Sequence, residues 1–363
     1  MVERLLGRGG MGAAYLARAP GGPPVVLKLL APEVAEDPRL RARFEREAAA
    51  LRRLPRHPSL VSIEDVADAA GEPCLVMGYV EGPTLADEIC RQGRLAPDVA
   101  ARLAQQVADG LQAAHAQGVI HRDVKPANVI VGPGGRATLV DFGVAKDLRR
   151  SALTVPGQLL GTAAYLAPEL WSGEDVDARA DLFSLGATLY HALVGVPPFE
   201  GDLGELADQA EAGDYPPPRE AFAEIPEELE RVVVRLLMPD RTWRHASAGA
   251  CARDLEGVLA GRPAATPCLV APDGRRHALL PALRATLGRD PACDLVLDDA
   301  SVSRRHAQVA REAGGFSLTD LGSSGGTFVG DERVTAPRLL LDGDRVRLGG
   351  LELRFDAGDP PPG

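Results

Sequence analysis

The sequence predicts an α+β fold over residues 1–262, followed by an all-β sandwich over 268–357. Three observations predict it. Short apolar runs broken by glycines surround one helical stretch in residues 1–80, the pattern of a β-rich lobe. Residues 95–118 and 174–260 repeat apolar side chains at helical spacing and read as mostly helical. Past the Gly/Pro-rich GRPAATP, whose residues 263–267 serve as a linker, apolar runs such as LVLDD, GTFVG and RVRLGGLELRF alternate with Gly and Asp turns. The tail, 358–363, is expected to be disordered.

Composition narrows the function. The chain has 363 residues, 45% apolar and 25% charged, ordinary for globular domains with their own cores. Net charge is −11, and residues 268–363 carry 12 basic against 14 acidic side chains. Neither part offers the basic face that nucleic acid requires. The acidic residues crowded between Glu200 and Glu230 fit a solvated face. Cys74, Cys90, Cys251, Cys268 and Cys293 show no CxxC spacing, which argues against a disulfide framework or zinc site and fits a reducing cytoplasm. No stretch reaches the ~20 apolar residues of a membrane span, so a cytoplasmic protein is expected. Three of the 40 basic residues are lysine, and Asn128 is the only asparagine. A chain so sparing of both keeps them together in Lys125–Asn128.

The elements carry candidate chemistry in order. LGRGGMGAAYLA sets Gly7, Gly9 and Gly12 as GxGxxG. A plain hairpin turn would account for them, but such a turn also lets backbone N–H groups approach phosphate oxygens. Lys28 alternates into the apolar strand VVLKLL. It is either a snorkelling edge lysine or a buried ammonium that needs an anion. Glu47 offers that anion, because it lies between Phe44 and Leu51 on the apolar face of its helix. In HRDVKPANVI, Pro126 keeps Asp123, Lys125 and Asn128 in a loop. There an aspartate can take a proton from an attacking hydroxyl, a lysine can neutralise a phosphoryl group, and an asparagine can ligate a hard cation. Asp141 follows a short strand in LVDFGVAK, where a carboxylate can hold a divalent cation against phosphates.

The Gly-rich loop, VVLK, HRDVKPAN, DFG, GTAAYLAPE and DLFSLGATLYHALVGVPPF follow in this order. Over roughly 260 residues the chain resembles a bacterial eukaryotic-like serine/threonine protein kinase. The resemblance implies the two-lobed kinase fold and transfer of the ATP γ-phosphate to protein Ser/Thr hydroxyls with Mg²⁺ or Mn²⁺. It implies Asp123 as catalytic base, Lys125 on the γ-phosphate, Asn128 and Asp141 as metal ligands, and Lys28 on the α/β-phosphates, held by Glu47. Gly7, Gly9 and Gly12 would cover the phosphates. Gly78 and Val80 would meet adenine through their backbone, with Met77 guarding the back pocket. Glu169, Arg244 and Asp181 are implied as braces, and Lys125 with Thr162 as the Ser/Thr form. Autophosphorylation is implied at Thr154, with Ser151 second and Arg122 receiving the phosphate. Two departures stand out: Ala14 replaces the usual valine, and only six residues precede Gly7, so either the first strand frays or the true start lies upstream. The rival reading is an inactive kinase-fold scaffold, and the presence of Lys28, Asp123 and Asp141 stands against it. Homodimerisation is left open.

LGRDPACDLVLDDASVSRRHAQV and LTDLGSSGGTFVGDERV, with the strands that follow, resemble a forkhead-associated (FHA) domain, a β-sandwich that binds phosphothreonine peptides through loops at one end. The resemblance implies Arg289, Ser303, Arg304 and Ser324 on the phosphate and His306 as structural. The asparagine usual in SxNGT is Gly325, and the usual VNG reads Val329-Gly330-Asp331. Loss of that asparagine is expected to weaken peptide binding by ~1–3 kcal/mol. The chain's own phosphorylated Thr154 and phosphorylated partner proteins are the first ligands to consider.

Overall fold

The computed structural model describes residues 1–9, 12–31, 36–69, 72–142, 160–173, 175–262, 267–279, 284–312 and 315–358. Strands β1 (Val2–Gly9), β2 (Gly12–Arg18), β3 (Pro24–Leu30), β4 (Ile63–Ala69) and β5 (Glu72–Gly78) form an antiparallel sheet in the order β1-β2-β3-β5-β4. Helix α1 (Pro38–Leu51) buries Phe44, Ala48 and Leu51 along one face. The first strand does not fray: β1 pairs with β2 from Val2↔Ala17 to Gly9↔Gly12, and the Met1 amine donates to the Arg18 carbonyl at 2.7 Å. Gly12 has φ +141°, and a Cβ there would lie 1.8 Å from the Leu29 carbonyl oxygen. The close approach of β3 therefore enforces this glycine, whatever it does for a ligand.

The second lobe is helical: α2 (Leu85–Gln92), α3 (Pro97–His115), α4 (Leu160–Ala163), α5 (Pro168–Ser172), α6 (Arg179–Val194), α7 (Leu203–Ala212), α8 (Pro218–Ala221), α9 (Glu227–Leu236) and α10 (Ala248–Leu259). Every residue of α6 from Ala180 to Tyr190 is buried, so it has no polar face and runs through the centre of the lobe. A hairpin, β6 (Val129–Gly132) and β7 (Arg136–Leu139), sits between α3 and α4 in the chain. It is tied to the first lobe by Val61 N–H on the Leu139 carbonyl (3.0 Å) and Leu139 N–H on the Ser59 carbonyl (2.9 Å). The loops flanking this hairpin carry the candidate residues.

The C-terminal strands are β8 (Cys268–Val270), β9 (Arg276–Ala278), β10 (Arg284–Gly288), β11 (Leu295–Val296), β12 (Ala307–Glu312), β13 (Gly315–Asp320), β14 (Thr327–Val329), β15 (Glu332–Arg333), β16 (Arg338–Leu339), β17 (Arg345–Leu348) and β18 (Leu351–Asp356). They form sheets ordered β11-β10-β12-β13-β16 and β15-β14-β17-β18-β8-β9. Leu287, Leu318, Val346 and Phe355 fill the space between. This core extends into the helical lobe, since Val234, Met238 and Trp243 belong to it. Gly358, the first residue of the expected tail, accepts a hydrogen bond from the Arg235 guanidinium at 3.3 Å, and 359–363 lie outside the described residues. Among the described residues no helix is long and apolar enough to cross a membrane.

Candidate active site

Asp181, at the start of α6, organises the loop before β6. Its carboxylate accepts the backbone N–H groups of His121 and Arg122, each at 2.7 Å, and lies 2.8 Å from His115 Nε2. Burial opposes its ionisation, but these donors outweigh burial and hold its pKa below the usual range. Arg122 (φ 63°) and Asp141 (φ 59°) are the non-glycine residues with positive φ among those described. Such backbone costs about 1–3 kcal/mol per residue and persists only where the surroundings dictate it, as at catalytic loops. The braced Arg122 fixes the backbone from which the next residue, Asp123, extends.

Five predicted residues meet around this loop. Asp123 and Asn128 are buried, and Asn128 Nδ2 donates to the Asp123 carbonyl (2.8 Å) and to Asp123 Oδ2 (2.9 Å). Lys125 Nζ lies 3.1 Å from Asp123 Oδ2 and donates to Thr162 Oγ1 at 2.8 Å. Val140 N–H donates to the Asn128 carbonyl at 2.8 Å, which brings Asp141 alongside. Asp141 forms an ion pair with Lys28 of β3. Burial works against its ionisation, yet the Lys28 ammonium holds the carboxyl below its usual range. Glu47 is partly buried on α1. His121, which sequence reasoning passed over, is fully buried beneath them. Its Nδ1 accepts the Asp123 N–H (3.2 Å) and its Nε2 sits 3.1 Å from the Val140 carbonyl. Burial pushes its pKa down, so it is a neutral ring protonated on Nε2.

The donor set fits a hard cation. Asn128 spends its amide nitrogen on Asp123, which leaves its oxygen, and Asp141 supplies a carboxylate. Among the described residues no cluster of three His, Cys, Asp or Glu could hold a metal alone. A cation here would complete its shell with phosphate and water oxygens, as Mg²⁺ usually does.

The remaining nucleotide candidates line up above. Gly7 and Gly9 lie on β1, and nothing stands within 4 Å of a Cβ added at Gly7. Met77 is buried at the end of β5, and Gly78 N–H is spent on the Ser62 carbonyl (2.9 Å). Neither the N–H nor the carbonyl of Val80 is bonded among the described residues. A cavity of about 660 Å³ lies behind this connector, lined by His57, Ser62, Tyr79, Arg136 and Thr138 and by none of Lys28, Asp123, Asn128 or Asp141. Ser151 and Thr154 lie outside the described residues. Arg244 is fully buried and forks onto Glu169, with Nη1–Oε1 at 2.6 Å and Nη2–Oε2 at 2.9 Å.

In the sandwich, Arg289, Ser303, Arg304 and Ser324 come together at one end. Ser303 Oγ lies 3.2 Å from Ser324 Oγ and accepts the Ser324 N–H at 3.1 Å. Arg289 N–H donates to the Ser303 carbonyl (3.1 Å), and the side chains of Arg289 and Arg304 are exposed. Buried His306 ties two loops, accepting the Ser303 N–H (3.0 Å) and reaching the Gly326 carbonyl (3.1 Å). Asp320, missed in the sequence, holds the Ser324 loop through Ser323 Oγ and Thr327 Oγ1, each at 2.6 Å. A Cβ added at Gly325 would lie 2.8 Å from Gly349 Cα and 3.3 Å from the Ser301 carbonyl. The turn at 349–350 therefore occupies the room that a side chain at 325 would need.

Comparison with known proteins agrees with this geometry. The protein kinase domain family matches residues 1–254, and the FHA domain family matches residues 285–349. The serine/threonine-protein kinase PknB of Mycobacterium tuberculosis is 36% identical over 321 residues, 85% of this chain and 51% of PknB. PknH of the same organism is 40% identical over 250 residues, 68% of this chain and 40% of PknH. The crystal structure of the M. tuberculosis PknI kinase domain superposes with a TM-score of 0.56 at 31% identity, covering 70% of this chain and 94% of that one. The chain thus spans about half or less of the length of these curated relatives. It belongs to the protein kinase family, of the bacterial serine/threonine type, and carries a C-terminal FHA domain.

Proposed function

We propose that this chain transfers the γ-phosphate of ATP to Ser and Thr hydroxyls of proteins, with lobes at 1–80 and 81–262, a linker at 263–267 and a phosphothreonine reader at 268–357. One observation carries the reading: Asp123, Lys125, Asn128 and Thr162 form a single hydrogen-bonded cluster beside Asp141 and Lys28. Asp123 receives the substrate proton, and its bonds to Asn128 and Lys125 fix its direction. Lys125 stands between that base and Thr162, where it can neutralise the moving phosphoryl group. Lys28 is the cation for the α/β-phosphates, with Glu47 to steady it. Its pairing with Asp141 keeps both charges satisfied until nucleotide arrives. Asn128 and Asp141 would hold Mg²⁺, which would supply charge neutralisation for the phosphates. Gly7, Gly9 and Gly12 cover the phosphates, while Gly78 and Val80 meet adenine beside Met77.

Thr154, and after it Ser151, is the segment's own acceptor, with Arg122 to receive the phosphate. At the sandwich rim, Arg289, Arg304, Ser303 and Ser324 bind phosphothreonine. Incubating the full chain with γ-labelled ATP, Mg²⁺ and dephosphorylated casein should give labelled phosphoserine and phosphothreonine. Label in phosphotyrosine alone, or equal labelling by Asp123→Asn, would contradict the reading.

A further inference from the structure

The FHA sandwich is not hung from the kinase lobe by its linker alone. Trp243 of the helical lobe packs against Phe316 and Phe355 of the sandwich, with ring centroids 5.5 and 5.7 Å away, and those two rings touch each other at 6.1 Å. Gly315 presses so close that a Cβ there would lie 2.2 Å from the indole. Around this stud, the buried Arg235 donates to the carbonyls of Ala357 (3.4 Å) and Gly358 (3.3 Å), and Arg311 reaches the Tyr215 hydroxyl at 3.5 Å.

The stud adjoins the brace of the segment that carries Thr162, whose hydroxyl accepts from Lys125 Nζ at 2.8 Å in the candidate site. Arg244, the next residue, grips Glu169, which follows GTAAYLAP. The same guanidinium donates to the carbonyls of Met238 and Pro239, each at 2.8 Å. Met238 itself belongs to the core shared with the sandwich. The loop 237–244 is thus held from one side by the sandwich and from the other by Glu169. We infer that Trp243 is a positioning residue, and that docking of the sandwich on it steadies the Arg244–Glu169 brace and so shapes the site for protein substrates. This rests on the protein kinase reading above.

The docking leaves the phosphate rim open. Contacts with Trp243 use the start of β13 and the end of β18, whereas Ser303 and Ser324 flank the opposite ends of β12 and β13. Six residues of strand separate the two ends, roughly 20 Å.

The test compares full-length wild type with Trp243→Ala, Trp243→Phe and Gly315→Ala, the last altering the sandwich side of the contact and leaving the kinase sequence intact. Thermal melts first confirm that each variant is folded. We expect Trp243→Ala and Gly315→Ala to raise KM for a protein substrate roughly three- to tenfold, with KM for ATP unchanged, and Trp243→Phe to restore most of the loss. Amide hydrogen exchange over residues 160–170 should quicken in the same two variants, a readout that needs no catalysis. If wild type transfers no phosphate, the kinase reading fails, while the exchange still decides the docking. Folded variants with unchanged exchange, or KM values for ATP and substrate that rise together, would overturn the inference.

Discussion

His121 has no charge to lend the site, and its neutrality has a consequence. Burial holds its pKa below 6.5, and His191 is shifted the same way by the same cause. The unfolded chain takes up protons below about pH 6.5 that the folded chain resists, so stability is full above that pH and falls as pH drops through it. Urea melts of the full chain should give a lower midpoint at pH 5.5 than at pH 7.5, and His121→Gln should flatten part of that slope. Asp123→Asn, by contrast, should leave the midpoint near wild type and cut phosphate transfer by roughly 10²–10⁴. Asn128, Lys125 and Lys28 were legible because this composition is sparing of Lys and Asn and each stands inside a recognisable motif. His121 carries no such mark. Its role comes from the Val140 carbonyl and the Asp123 N–H, which only the folded loop brings to it.

Between elements, the Arg244–Glu169 fork joins the loop after α9 to α5 across 75 positions of chain, with both side chains buried. Arg244→Ala strands a buried carboxylate and should cost about 3–5 kcal/mol in a denaturant melt. The sandwich rim gives a second case. Gly325 was legible as a departure from the usual asparagine, but not the crowding that a side chain there would meet. The 349–350 turn lies against it, and that contact joins strands distant in sequence. Gly325→Asn should therefore destabilise the chain by roughly 1–3 kcal/mol. It should bring no gain in phosphothreonine-peptide affinity by titration calorimetry. Strand and helix identities were readable from periodicity, because apolar faces repeat with the local geometry. Which element braces which was readable only where a motif marked it.

At the scale of the whole molecule, the sequence divides at a Gly/Pro linker while the packing continues across it. Trp243 in RTWRHAS has the look of any core aromatic, and nothing local marks it as a stud for the sandwich. A core shared by Val234, Met238, Trp243 and the sandwich predicts coupled unfolding of the helical lobe and the sandwich in calorimetry. Two well-separated transitions would contradict that sharing. The central claim, however, is phosphoryl transfer built on Asp123. The most direct measurement is intact mass after incubation with Mg²⁺ and ATP, for wild type and Asp123→Asn side by side. Wild type should gain one or more phosphates, each adding about 80 Da, and the variant none. Equal gain by both proteins would remove Asp123 from the chemistry, and no gain by either would leave the chain a binding scaffold.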